Sequence, residues 1–157
     1  MSEKFQPPLE VRTLVILSEG ETQPGGNAAD FILEEINGTD IRSGKFIGQR
    51  ALIIHFWSIE SDNELTQLQT LRNFHGDEIE ILGIGEDLNK SYATGLAKRL
   101  GITFPMLIDK TGEVKQAYRV SLSPTTYFIS KDGLIIDKKE GSMTEQELNE
   151  KMKILTK

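Results

Sequence analysis

The run Ala51-Leu52-Ile53-Ile54-His55-Phe56-Trp57 is apolar at almost every position, and a few residues later it gives way to helical spacing. A strand with one wet face alternates apolar and polar side chains, whereas a strand without alternation is covered on both faces. The chain is therefore expected to be an α/β layer structure with this strand at the centre of its sheet. The junction after Trp57 also matters for chemistry. Where a strand feeds a helix, the first N–H groups of the helix and the positive end of its dipole face outward.

The helix after the junction is predicted from about Ser61 to Phe74, with Leu65, Leu68 and Leu71 on one face, Gln69, Arg72 and Asn73 elsewhere, and Gly76 as its stop. Upstream, a strand is expected over Val11 to Leu17, then a loop through Pro24-Gly25-Gly26. Asn37-Gly38 between Phe31-Ile32-Leu33 and Thr39-Asp40-Ile41 predicts a hairpin, and Gly44 to Gly48 a short turn. Downstream, Ile79 to Ile84 reads as a strand. A helix from about Asn89 follows, carrying Tyr92, Ala93, Leu96, Ala97 and Leu100 before Gly101. Strand, helix, strand, helix implies a parallel pair with a right-handed crossover. Thr103 to Ile108 is extended, Val114, Ala117 and Tyr118 mark a short helix, and Thr125 to Ser130 pairs through Lys131-Asp132-Gly133 with Leu134 to Asp137. Thr144-Glu145-Gln146-Glu147 is a capping box opening a last helix with Leu148, Met152 and Leu155 inward. Residues 1–25 read as an extension and 26–157 as one domain, in keeping with 157 residues in all.

Composition removes several chemistries. There is no cysteine, so disulfides, thiolate catalysis, iron–sulfur clusters and Cys-type zinc sites are excluded. A net charge of −6, with no basic stripe, argues against nucleic acid or anionic lipid as partner. The longest apolar runs, Leu14 to Leu17 and Ala51 to Trp57, fall well short of the ~20 residues that span a bilayer. No basic-then-apolar leader opens the chain, so it is expected to be soluble, without membrane insertion, and cytoplasmic on that ground. Gly83-Ile84-Gly85 lacks the third glycine of a dinucleotide loop. His55 and His75 are too far apart for a zinc signature, and His75 reads as a surface residue.

The element order, together with Asp30-Phe31, His55-Phe56-Trp57, Thr103-Phe104-Pro105, Pro124-Thr125-Thr126-Tyr127-Phe128-Ile129 and Lys131-Asp132-Gly133, resembles the thioredoxin superfamily. The resemblance covers roughly residues 26 to 155. It is to the branch containing the thiol-disulfide oxidoreductases of cytochrome c maturation and, more distantly, the alkyl hydroperoxide reductase type of peroxiredoxin. It implies a three-layer fold with a central mixed sheet, helices on both faces and an N-terminal hairpin extension. It also implies an extracytoplasmic setting, at odds with the missing leader.

In that family a Cys-x-x-Cys motif begins four residues after the tryptophan. Those positions here are Ser61 and Glu64. A serine hydroxyl is not ionised at neutral pH and forms no mixed disulfide, so neither thiol attack nor its resolution is available. A serine standing for a native cysteine at position 58 or 61 would still leave Glu64 and no dithiol. Ser61-x-x-Glu64 is itself a capping-box pattern, which makes both residues structural. The competing reading gathers Glu60, Asp62 and Glu64 as a weak cation site or acid/base group at the mouth of the site. The resemblance places Pro124 at the family's cis-proline, where neighbouring backbone pairs with an extended substrate peptide. Histidine at position 55 could titrate near neutrality, but a hydrogen-bonded core role is the expectation. Two readings of Trp57 stand, a partly exposed anchor or plain packing.

The function expected is that of a redox-inactive thioredoxin-like domain that needs no cofactor or metal. It would bind a protein or peptide through Trp57, Ser58, Glu60, Asp62, Ser123, Pro124 and Thr125. The alternative is an enzyme or small-ligand or metal carrier that reuses the pocket with His55, Glu60 and Glu64.

Overall fold

The computed structural model describes residues 14–59, 61–86 and 90–156. Among these residues eight strands form one sheet: β1 (Ile16–Ser18), β2 (Asp30–Glu35), β3 (Asp40–Arg42), β4 (Ala51–Trp57), β5 (Ile79–Glu86), β6 (Met106–Asp109), β7 (Thr125–Ile129) and β8 (Ile135–Glu140). The helices are α1 (Asp62–His75), α2 (Lys90–Leu100), α3 (Glu113–Ala117) and α4 (Glu145–Leu155). Of the strand expected over Val11 to Leu17, residues 11–13 lie outside the described part, as do Asn89 and the Met1 to Pro8 segment.

The sheet runs β1-β2-β6-β5-β4-β7-β8, with β3 added to β2. The β4–β5 and β5–β6 pairs are parallel and the rest antiparallel, so the sheet is mixed. Every residue of β4 is buried, as its unbroken apolar run predicts. Ala51, Ile53 and Trp57 face a core built with Leu65, Leu68 and Leu71 of α1, Leu96 of α2 and Leu148 and Met152 of α4. Leu52, Ile54 and Phe56 face the other core, with Phe31, Val114, Tyr118 and Tyr127. Full burial of each such side chain is worth about 1.5–3 kcal/mol, so these two layers hold the sheet in place. The layers are unequal: three helices cover one face, and the short α3 with the N-terminal segments covers the other. Residues 14–25 pack onto the rest of the described chain, since β1 pairs with β2 and the Gly25 N–H donates to the Ile135 carbonyl.

One detail corrects the sequence reading. Gln69 is not off the packed face but buried. It accepts from the Thr103 N–H at 2.8 Å and donates to the Thr103 hydroxyl at 2.7 Å, tying α1 to the segment before β6. Thr66 and Thr70 bond back to the carbonyls four residues earlier, which keeps their hydroxyls satisfied within α1. At the other end of the chain the Thr144 box is complete: the Glu147 N–H donates to Thr144 Oγ1 at 3.1 Å and the Thr144 N–H to Glu147 Oε1 at 3.2 Å.

Candidate functional site

Strands β4 and β7 bring the two halves of the site together. Their ladder ends at Phe56 opposite Thr125, so Trp57-Ser58 and Pro124-Ser123 leave the sheet side by side. The Ser123–Pro124 peptide bond is cis, and the Pro124 carbonyl accepts from the Gly141 N–H at 2.7 Å. The backbone N–H and carbonyl of exposed Ser123 bond to no described residue.

Ser61 stands at the N-cap of α1 but does not cap it. Its backbone (φ −95°, ψ 17°) is not in the extended conformation of a normal N-cap, and its hydroxyl makes no bond to the first turn. The hydroxyl instead accepts from the Ser58 N–H at 3.0 Å, while the Ser61 N–H donates to the Ser58 carbonyl at 3.1 Å. The predicted capping box is therefore wrong in both halves. Glu64 has turned away from the Ser61 N–H into the interior, where it is only 7% exposed.

Below it lies His55, fully buried, with Nδ1 2.8 Å from Thr126 Oγ1. The expected hydrogen-bonded core histidine is what the structure contains. Its Nε2 faces Glu64 Oε2 at 4.0 Å, and neither atom has a hydrogen-bond partner. Burial pushes the His55 imidazole down to about 4, below the neutral range raised by its sequence position. Burial also raises the Glu64 carboxyl above its ordinary value, partly offset by a hydrogen bond with Ser142.

Asp62 and Glu64 are not gathered. Asp62 turns outward to Arg99 of α2 at 2.9 Å, Glu64 turns inward, and Glu60 lies outside the described residues. Among the described residues no cluster of acidic and imidazole side chains has the makings of a metal site.

Trp57 is not a surface anchor. It is 2% exposed and lies over its register partner Gly85, where an added Cβ would come within 2.6 Å of the indole Cζ2. This explains Gly85 better than any ligand does, since only a residue without a Cβ admits the ring there, while Gly83 makes room for Met106 and Phe104. Thr125 is buried as well, while Ser58 and Pro124 are half-buried. The apolar surface comes from Ile59, at 60% exposure inside the predicted stretch from Ser58 to Asp62, and from Leu122, at 49% just outside the predicted Ser123 to Thr125. An apolar residue in both loops was the available signal. Ser142 gave none.

Residues 24–138 match the model of the AhpC/TSA family. The chain belongs to that family. Among relatives, this AhpC/TSA member is 30% identical over 137 residues to the sporulation thiol-disulfide oxidoreductase A of Bacillus subtilis, covering 83% of this chain and 81% of that protein. It is 29% identical over 128 residues to the thiol-disulfide oxidoreductase ResA of Geobacillus kaustophilus, covering 79% and 73%. A thiol:disulfide interchange protein of the thioredoxin family from Chlorobium tepidum superposes with a TM-score of 0.75 at 17% identity, over 87% of this chain and 99% of that one, which shows the fold. StoA of Bacillus subtilis gives 0.65 at 26% identity, over 84% and 99%. This is a ResA-like member of the thioredoxin superfamily, with the thioredoxin-like fold.

Proposed function

We propose that this chain is a redox-inactive member of its family that binds an extended protein or peptide segment through the former active-site groove. The observation that carries the reading is the state of Ser61 and Glu64. One hydroxyl is locked to Ser58, one carboxyl is buried against His55, and the chain has no cysteine thiol for exchange. Around them the groove keeps what recognition needs. Ile59 and Leu122 offer exposed apolar contact, Ser123 offers an unpaired backbone N–H and carbonyl for strand-like pairing, and Asp62 sets the charge at the rim. Trp57 and Thr125 drop out of the binding surface because they are buried.

Two experiments test this. A disulfide reductase assay on the wild type stays at background, and the double variant Ser61→Cys, Glu64→Cys gains activity; turnover by the wild type refutes redox inactivity. Capture from native extract with wild type, Ile59→Asp and Leu122→Asp loses the same partners in both variants. Undiminished recovery removes the groove from the account.

A further inference from the structure

The His55–Glu64 contact is unusual on two counts. Buried polar atoms are nearly always partnered, yet two of them face each other here across 4.0 Å. Each also belongs to a titratable group that burial drives toward its neutral form. A neutral carboxyl is a donor and a neutral imidazole has one free acceptor, so a single proton satisfies both atoms once the gap closes.

The surroundings leave this proton to the pair alone. From β7 the partner of His55 is the hydroxyl of Thr126, and from β5 it is Gly83. From β8 the cross-strand neighbour of Thr126 is Lys139, held by Glu147 of α4 at 3.1 Å. Asp137 is likewise held by Lys151 of α4. On α1, Asp62 is engaged by Arg99. The loop before α4 contributes Ser142, which is not titratable. No further charged group is needed to account for either displacement.

We propose that His55 and Glu64 hold one proton between them and release it as a unit when pH rises, turning the floor of the groove from neutral to negative. In the protonated state His55 Nδ1–H donates to Thr126 Oγ1 and the Glu64 carboxyl donates to Nε2. On release, one proton leaves Glu64 for solvent, the imidazole proton moves from Nδ1 to Nε2, and the Thr126 hydroxyl turns to donate to Nδ1. Protons balance, with one lost by the pair. The new carboxylate sits in the first turn of α1, where the helix dipole favours negative charge. This inference rests on the groove reading for its use, since the charge would bias the groove toward partners bearing cations.

The test needs no partner. In the full chain with His75→Gln, leaving one histidine, the ring nitrogens of His55 are followed by NMR from roughly pH 5 to 8, the range in which histidine chemistry is informative. One tautomer exchange is expected, with the amides of Ser61 and Asp62 moving at the same midpoint and Glu64→Gln abolishing the step. A ring that keeps one tautomer throughout overturns the switch, as does the same step in Glu64→Gln. The wild-type titration decides the matter even if that variant misfolds. Because no binding is measured, failure here leaves the groove reading standing, and failure of partner capture leaves the switch standing.

Discussion

Two helices in this protein begin with the same four-residue grammar and only one obeys it. Thr144-x-x-Glu147 forms both bonds of a capping box, whereas Ser61-x-x-Glu64 forms neither. The difference is in what lies beneath. Under α4 the glutamate stays at the surface and finds Lys139, while the glutamate of α1 turns inward beside buried His55 and bonds with Ser142. A cap is a local option, and the tertiary surroundings of the glutamate override it.

That contrast predicts effects of different size and sign. The largest lies on the acid limb of stability. His55 is favoured neutral in the fold, so its contribution is complete above its ordinary 6.5 and is lost as pH falls toward about 4, a difference of roughly 3 kcal/mol. Denaturant titrations of wild type and His55→Leu should therefore converge as pH falls across that window, and parallel curves would show that His55 does not set the acid limb. Next, Glu64→Leu should stabilise the protein by about 1–3 kcal/mol at pH 8, because it removes a carboxyl whose burial disfavours the charged form. Its advantage should shrink in acid. The raised Glu64 carboxyl favours folding below its ordinary 4.5 and loses that contribution as pH climbs through its folded value. Thr144→Ala should cost about 1 kcal/mol, the usual value of a working cap, and Ser61→Ala clearly less, because the half-buried Ser58 N–H can turn to water. Equal losses would mean that both serine and threonine cap their helices in solution. The smallest effect is the pH slope at Glu147. The backbone bond at Thr144 and Lys139 hold its carboxyl below the ordinary value, so its contribution is present above 4.5 and lost in acid. Glu147→Gln should flatten that slope, opposite in direction to Glu64.

Most of the frame was legible because it depends on nearest neighbours in the chain. The unbroken run of β4, Asn37-Gly38, the α1 leucines and the Thr144 box each specify a local conformation, and each is found where expected. The site was legible only in part. The family resemblance points to Ser61, Glu64 and Pro124, but not to what stands across from them. The inward turn of Glu64 depends on His55, Thr126 and Ser142, from three separate stretches, and the burial of Gln69 depends on Thr103. Trp57 was misplaced as a possible anchor for the same reason. The glycine that makes room for it is on the neighbouring strand.

The stacking of Trp57 over Gly85 couples two positions that are far apart in sequence but level in a parallel ladder. Neither can drift independently. A side chain at 85 is barred while the indole is present, and a smaller residue at 57 leaves a void unless 85 grows to fill it. The pair should therefore show sign epistasis: Gly85→Ala damaging alone and tolerated once Trp57 has been trimmed. This lock between neighbouring β-strands fixes the end of the sheet from which Ser58 leaves β4.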